Sequence, residues 1–169
     1  MALNILSEDA TLLVVDKPAG LTVQELAQQL KYTPAHRLDK DTSGVLLVAK
    51  TPEALEKLQC QFKSRHIEKR YICLVEGALK EGSGVVHTLL TRSPADRRKQ
   101  RAYPLEDLRK GRREALTEWK ILNRFKEYTL LEVTPKTGRK HQIRAHMTSL
   151  GHPIAGDKLY GFKGQKTPK

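Results

Sequence analysis

The segment HRLDKDTSGVLLVAK, residues 36–50, joins a polar loop to an apolar run of strand length. From Asp39 onward the order Asp-Lys-Asp-Thr-Ser-Gly is typical of the start of an EF-hand calcium loop. Four interpretations are open at this point: a calcium loop, a phosphate-binding loop, a solvated turn, or an active site built around one carboxylate.

The sequence lacks the residues that metal and phosphate sites require. A calcium loop needs a bidentate Glu at its twelfth position, and that position is Lys50. A phosphate loop of the form GxxxxGK(S/T) is absent from the sequence. His141 and His146 are five residues apart, so they do not share a helix face for zinc. Asp39 and Asp41 alone are too few carboxylates for a two-metal nuclease. We therefore predict no metal site.

Two interpretations of Asp39 remain. An unperturbed Asp titrates near ~3.9, so it is a carboxylate at neutral pH and could act as a nucleophile or general base. Alternatively, the segment is a capped turn whose Asp pairs with a neighbouring arginine. Both interpretations suit the cationic and hydroxyl neighbours of Asp39, which are His36, Arg37, Lys40, Thr42 and Ser43.

Composition and charge narrow the class of protein. A chain of 169 residues with 38% hydrophobic and 30% charged residues is typical of a soluble globular domain, not of a disordered segment. Its net charge of +12 favours a polyanion partner, most often nucleic acid, over a basic surface kept for solubility.

The cysteines and the N-terminal residues predict a cytoplasmic protein. Cys60 and Cys73 lie in apolar contexts without a CxxC pair, which favours reduced, buried thiols over a disulfide. No signal-peptide pattern begins the sequence, and its longest apolar runs are too short to span a bilayer.

Hydrophobic periodicity predicts strands that alternate with a few helices. A capping box of Thr22 and Glu25 begins one helix, Pro52 begins another, and a third over 142–150 ends at Gly151. Its apolar face comprises Ile143, Met147 and Leu150. Residues 92–113 are a basic polar stretch, interpreted as a surface that binds a polyanion or, alternatively, as in large part a solvated loop. Strands are predicted over 12–15, 45–49, 71–75, 115–121 and 128–133. This order predicts a single α+β domain with a mixed, mainly antiparallel sheet and flanking helices.

Three blocks in order carry a resemblance to a known family: HRLDKDTSG (36–44), KRYICLVEG (69–77) and TGRKHQIRAHMTSLGHPIAGDKLYG (137–161). Two further stretches, VVDKPAGL (14–21) and REALTEWKIL (113–122), support it. Together they resemble the RluA family of pseudouridine synthases over most of the chain. The resemblance implies the fold of that family and the isomerisation of uridine in RNA to pseudouridine, without a cofactor or metal.

The resemblance also assigns site residues. Asp39 matches the catalytic aspartate, Tyr71 matches a tyrosine that packs against the target base, and Arg144 matches the arginine that pairs with the catalytic carboxylate. Arg37 matches an arginine that fills the stack after the uridine is flipped out, although it could instead bind phosphate. The expected RNA-binding residues are completed by His36, Thr42, Arg97, Arg98, Lys99, Arg101, Arg139, Lys140 and His141.

The expected organisation is one catalytic domain over residues 1–169. We expect no S4-type RNA-binding domain and a basic Gly/Lys-rich tail over 162–169. The expected partner is a stem-loop of ribosomal or transfer RNA, with no membrane partner, and the expected state is a monomer. The alternative function is that of a catalytically inactive RNA-binding relative that acts as an RNA-folding or assembly factor.

Overall fold

The computed structural model describes residues 3–162, and the chain divides into two compact units with the boundary between Ile67 and Glu68. The predicted basic tail therefore lies outside the described residues, apart from Phe162. The single catalytic domain over residues 1–169 stays a prediction. None of the helices in the described part of the chain is long and apolar enough to cross a bilayer.

The first unit is a four-stranded antiparallel sheet with two helices. Its elements are β1 (Asn4–Glu8), β2 (Leu12–Lys17), α1 (Val23–Leu30), β3 (Thr33–Pro34), β4 (Gly44–Ala49) and α2 (Pro52–Lys63), and the strand order is β1-β2-β4-β3. Buried and half-buried residues alternate along β2, because one side of this strand faces the core. The buried core is formed by Leu13, Val15, Leu26, Leu46 and Val48.

Both helices of the first unit begin where the sequence predicts, and each has a capping residue. Thr22 accepts a hydrogen bond from the backbone N–H of Glu25, and the Glu25 carboxylate accepts from the backbone N–H of Thr22. The side chain of Thr51 accepts from the backbone N–H of Ala54, and Pro52 follows in the first turn of α2.

The second unit is a five-stranded antiparallel sheet with one helix. Its elements are β5 (Tyr71–Glu76), β6 (Ser83–Arg92), β7 (Gln100–Tyr103), β8 (Arg113–Arg124), β9 (Tyr128–Pro135) and α3 (Gln142–Ser149), and the strand order is β5-β9-β8-β6-β7. The helix packs on the sheet through Met147, which lies in one cluster with Val75 and Val133. A second cluster joins Ala145 of α3 to Tyr160.

Trp119 of β8 is buried against a strand residue without a side chain. A Cβ atom at Gly84 of β6 would lie 2.6 Å from Cζ2 of this indole, so only glycine permits the close approach. Trp119 is 7% exposed and belongs to the larger core cluster of the second unit.

The two antiparallel sheets and three helices confirm the α+β prediction. Two details of the sequence interpretation are wrong. Cys60 is exposed, because it lies on the outer side of α2, and Cys73 is only half-buried. Leu150, predicted on the apolar face of the third helix, is the C-cap residue of α3 and is 38% exposed. Within residues 92–113, β6 ends at Arg92, β7 spans Gln100–Tyr103 and β8 begins at Arg113, and the residues between these strands form loops.

Candidate active site

Asp39 lies in the loop between β3 and β4, and the backbone is held on both sides of it. The preceding residue, Leu38, is buried, and the backbone N–H of Thr42 donates to the carbonyl of Asp39 at 3.1 Å. The carbonyl of the following residue, Lys40, accepts from the backbone N–H of Gly20 at 2.9 Å. The loop therefore presents a half-buried carboxylate from a fixed backbone.

A buried lysine stabilises the same loop. Lys17 ends β2 on its buried side, and its side chain has no exposed surface. Its Nζ donates to the carbonyl oxygens of Pro18 at 2.9 Å, Leu21 at 2.7 Å and Lys40 at 3.1 Å, which matches the three donors of an ammonium group. Burial lowers the pKa of Lys17, although the carboxylates of the Asp39 loop oppose this shift.

The two residues at the start of the HRLD motif have different environments. The ring of His36 packs against that of Phe62 with 4.8 Å between centroids, and its Nε2 accepts from the backbone N–H of Leu47 at 3.1 Å. These contacts tie the loop to α2 and β4. Arg37 is exposed, and among the described residues no carboxylate forms an ion pair with it. Its side chain is accessible to a partner molecule.

In the second unit, Tyr71 begins β5, opposite Val133 of β9. Strand alternation places Tyr71 on the same side of β5 as Cys73 and Val75, which face the core beneath α3. The neighbouring Lys69 donates from Nζ to the carbonyl of Thr137 at 3.2 Å. This bond joins the start of β5 to the turn that precedes α3.

Gln142, the glutamine of the HQIR motif, holds the turn that precedes α3 and the start of this helix. Its carboxamide oxygen accepts from the hydroxyl of Thr137 at 2.8 Å and from the backbone N–H of Arg139 at 2.9 Å. The Nε2 of this residue, Gln142, donates to the carbonyl of Leu116 at 3.0 Å and to the hydroxyl of Thr117 at 2.9 Å. Every polar atom of the buried amide therefore has a partner.

His146 continues this buried polar network on the next turn of α3. Its Nδ1 lies 2.8 Å from the hydroxyl of Thr117, and its Nε2 lies 3.0 Å from the hydroxyl of Thr88. Burial, with a smaller contribution from nearby His87, lowers the pKa of His146 to about 4. The imidazole is therefore neutral at physiological pH and serves as a structural hydrogen-bonding group.

Arg144 points away from this network and forms a bidentate ion pair with Asp157. Its Nε donates to Oδ2 of the carboxylate at 2.6 Å, and its Nη2 donates to Oδ1 at 2.8 Å. Burial by itself raises the pKa of Asp157, but hydrogen bonds from Arg144 and from the backbone of Tyr160 and Leu159 outweigh it. The pKa of this carboxyl thus lies below its usual range.

Tyr160 connects α3 with β7. Its hydroxyl accepts from the backbone N–H of Gln100 at 2.5 Å and lies 3.1 Å from Nδ1 of His141. Its ring centroid is 4.9 Å from Cζ of Arg144 and 5.8 Å from Nζ of Lys99. His141 itself adopts the left-handed conformation, with φ of 53°.

Ion pairs and stacking order the basic stretch over residues 92–113. The guanidinium of Arg112 stacks on the ring of Tyr103 at 3.6 Å and forms an ion pair with Asp107, so its side chain is only 7% exposed. Arg98 forms a bidentate pair with Asp96 at 3.0 and 2.8 Å. Arg101 remains exposed, which makes its charge available to a ligand.

Comparison with known proteins places the chain in a family. The sequence model described as RNA pseudouridylate synthase matches residues 11–149. An uncharacterized RNA pseudouridine synthase of Aquifex aeolicus is 41% identical, over 99% of this chain and 58% of the relative. The ribosomal large subunit pseudouridine synthase D of Xanthomonas campestris is 40% identical, over 94% of this chain and 52% of the relative. The solved structure of human RNA pseudouridylate synthase domain containing 1 matches with a TM-score of 0.85 at 26% identity, over 95% of this chain and 70% of that one. The chain belongs to the RluA family of RNA pseudouridylate synthases.

This family membership confirms the resemblance that the three sequence blocks carry. The chain spans about half the length of the curated relatives that it matches, with 58%, 55% and 52% covered in the first three.

The structure distributes the predicted pseudouridylate synthase residues between the two units. His36, Arg37, Asp39 and Thr42 share the loop of the first unit. The second unit holds the other predicted residues, and there His141, Arg144 and Lys99 come together around Tyr160. Arg139 donates from Nε to the carbonyl of Glu114 at 2.8 Å, and Lys140 is exposed. Their roles toward RNA stay predictions.

Sequence reasoning missed three residues that organise these sites: Lys17, Gln142 and Asp157. All three lie within the stretches that carry the family resemblance, VVDKPAGL and the block over 137–161. Each is a charged or amide residue within a motif that also contains buried strand or helix positions, and this pattern could have indicated a structural role. To predict that role one must know the hydrogen-bond partners, and Lys17 and Gln142 have partners that are distant in the sequence.

Proposed function

We propose that this protein isomerises uridine in RNA to pseudouridine, with Asp39 as the catalytic aspartate. The observation that carries the proposal is the HRLDKDTSG loop, in which the backbone around a half-buried carboxylate is held by the buried ammonium group of Lys17. The family match, which spans Asp39, Tyr71 and Arg144, supports the same conclusion.

The reaction needs one carboxylate and no external reagent. The bond between N1 of uracil and C1′ of ribose breaks, the base turns in the site, and C5 bonds to C1′. The proton that C5 loses is balanced by one gained at N1, so the product is an isomer of the substrate. Asp39 supplies the group that acts as nucleophile or base.

Tyr71 and Arg144 have supporting roles in this proposal. By resemblance to the family, Tyr71 matches the tyrosine that packs against the target base, and Arg144 matches the arginine that pairs with the catalytic carboxylate. A guanidinium next to a carboxylate favours its ionised form, which is the form that can act as a nucleophile or base.

We infer a base-flipping role for Arg37. A stacked uridine has to be extruded at a cost of a few kcal/mol, and a planar guanidinium can occupy the vacated place in the stack. The exposure of Arg37 supports this role. For Arg37→Ala we expect a larger loss of rate on a structured RNA than on an unstructured one, measured as single-turnover rates on both. Equal losses would indicate a phosphate contact instead.

Ribosomal RNA is the first substrate to test. The name of the Xanthomonas relative, ribosomal large subunit pseudouridine synthase D, supports this choice, with transfer RNA as the alternative. The net charge of +12 agrees with a polyanionic partner but does not distinguish the two RNAs. The monomeric state and the cytoplasmic location stay predictions.

The decisive experiment is a pseudouridine map of total RNA from cells with and without the gene, repeated after rescue. We expect one or more sites to disappear on deletion and to return with the wild type but not with Asp39→Asn. The matched control is Asp41→Asn, which changes an exposed aspartate of the same loop and should restore the sites.

The RNA affinity of the Asp39→Asn protein completes this test. We expect its dissociation constant to stay within a few-fold of the wild-type value, because only one carboxylate of a largely electrostatic interface changes. If no site changes on deletion while the purified wild type still binds RNA, the protein is instead a catalytically inactive RNA-binding relative.

A further inference from the structure

The bidentate ion pair of Arg144 with Asp157 fixes both the position and the plane of the guanidinium. Two parallel N–H···O bonds, of 2.6 and 2.8 Å, restrain rotation about the terminal bonds of the arginine side chain. The Arg144 side chain is 21% exposed, so solvent competes little for these two hydrogen bonds.

The carboxylate of Asp157 is itself rigidly held. Its Oδ1 accepts from the backbone N–H groups of Leu159 at 2.9 Å and of Tyr160 at 3.0 Å, and its side chain is 5% exposed. The backbone carbonyl of Asp157 accepts from Gly161 at 2.8 Å, which closes the turn. A carboxylate with these bonds cannot follow the arginine if the arginine moves, so it acts as a fixed support.

The ring of Tyr160 completes the environment of the guanidinium, with its centroid 4.9 Å from Cζ of Arg144. Its hydroxyl bonds hold it to Gln100 and His141, and its ring is buried in the cluster with Ala145. The turn after α3 therefore supplies one carboxylate and one aromatic ring to the same guanidinium.

We propose that Asp157 is a positioning residue for Arg144 and that, supported by Tyr160, it sets the orientation that this arginine needs in the proposed reaction. The inference rests on the proposed function, because the catalytic role of Arg144 belongs to that proposal. It assigns to the GDKLYG segment a role in the chemical step rather than in RNA affinity.

Asp157→Asn tests the role with the smallest change in shape. The amide keeps one oxygen acceptor but presents an NH₂ group to a guanidinium nitrogen, so a bidentate pair can no longer form. Misplacement of a catalytic group by a fraction of an ångström to 1 Å costs up to about a hundredfold in rate. We expect the single-turnover rate constant to fall between about ten- and a hundredfold, with the RNA dissociation constant changed less than threefold.

The assay uses the full chain in excess over total RNA from the deletion strain, with pseudouridine quantified at each site over time. Glu68→Gln is the matched control, because Glu68 forms a similar bidentate pair with Arg70 on the surface, at 3.0 and 3.0 Å. This variant should react at the wild-type rate. Thermal melting of each variant confirms that it is folded at the assay temperature.

A double-mutant cycle separates positioning from general stabilisation. If Asp157 acts through Arg144, Asp157→Asn should cause little further loss in the Arg144→Lys background. Multiplicative losses from the two substitutions would show that Asp157 acts elsewhere and would overturn the proposal. If Asp157→Asn does not fold, Asp157→Glu replaces it in the same cycle, because it keeps the charge but shifts both oxygens by one methylene.

The outcomes distinguish this proposal from the one on which it rests. A wild type that forms no pseudouridine would overturn the proposed function and this role together. A wild type and an Asp157→Asn variant with equal rates would overturn the positioning role alone. An equal loss in rate and in RNA affinity would also overturn it, because it would indicate a binding defect.

Discussion

The side chain of Lys17 has no exposed surface. A buried amino group is destabilising unless its N–H donors have hydrogen-bond acceptors. The three carbonyl partners of Lys17 lie in the turn after β2 and in the Asp39 loop, which are distant in sequence. One buried side chain therefore joins the two segments of the first unit that carry the family resemblance.

We expect Lys17→Met to reduce stability more than chemistry. The substitution leaves the carbonyls of Pro18 and Leu21 without this donor, and an unsatisfied buried polar group costs about 1–3 kcal/mol. The free energy of unfolding should fall by about 2 kcal/mol or more, measured by urea denaturation. The backbone bond from Gly20 to Lys40 remains, so the rate of the proposed reaction should change only a few-fold.

The exposed lysine Lys57 of α2 provides the control for this prediction. Lys57→Met should leave the free energy of unfolding nearly unchanged, since surface substitutions usually have small effects. An unaltered urea midpoint for Lys17→Met would contradict the structural role of its ammonium group.

At the scale of elements, local signals predicted the helices better than the strands. The capping box at Thr22 and the proline at the start of α2 act within a few residues, so the sequence shows them directly. β7 is a four-residue edge strand with two polar residues, and only its pairing with β6 makes it a strand. The burial of His146 likewise depends on Thr88 and Thr117, which lie on other elements.

The buried network around α3 gives the second unit a pH-dependent stability. The pKa of His146 is about 4 in the folded protein, below its ordinary value near 6.5. As the pH falls from about 6.5 to about 4, His146 becomes protonated in the unfolded chain but stays neutral in the folded chain. The contribution of the neutral imidazole to the free energy of unfolding is therefore fully present above about pH 6.5. It is lost as the pH falls to about 4, by up to about 3 kcal/mol.

The measurement is urea denaturation at several pH values for the wild type and for His146→Gln. We expect the variant to be less stable at pH 7 and to lose less stability than the wild type between about pH 6.5 and 4. Val133→Ala, a core variant of the same unit without a titratable change, should keep the wild-type pH dependence. Parallel curves for the wild type and His146→Gln would contradict the assignment.

The basic residues behind the net charge of +12 have different environments. Carboxylates neutralise Arg98 and Arg112, whereas Arg97 and Arg101 are exposed, and among the described residues no carboxylate forms an ion pair with either. The sequence predicts a basic surface here, but only the structure separates the cations that pair with carboxylates from those that form no such pair among the described residues.

We expect Arg97→Ala and Arg101→Ala each to reduce the salt dependence of RNA binding. Each lost contact with single-stranded RNA should lower the slope of log affinity against log salt by about 0.7. The measurement is filter binding of a uridine-rich single-stranded RNA over a range of salt concentrations. Arg112→Ala should instead lower the melting temperature, because it removes a stacked, nearly buried guanidinium. An unchanged slope for both exposed arginines would place the RNA on another surface.

Trp119, which lies against Gly84 in the core of the second unit, is the single tryptophan of the chain. Its ultraviolet emission therefore reports on one of the two compact units, and the first unit contributes no indole signal. Far-ultraviolet circular dichroism, by contrast, records the backbone of both. The chain thus carries a native optical label on the unit that contains Tyr71, Arg144 and Asp157, and fluorescence can follow the unfolding of that unit without an added dye.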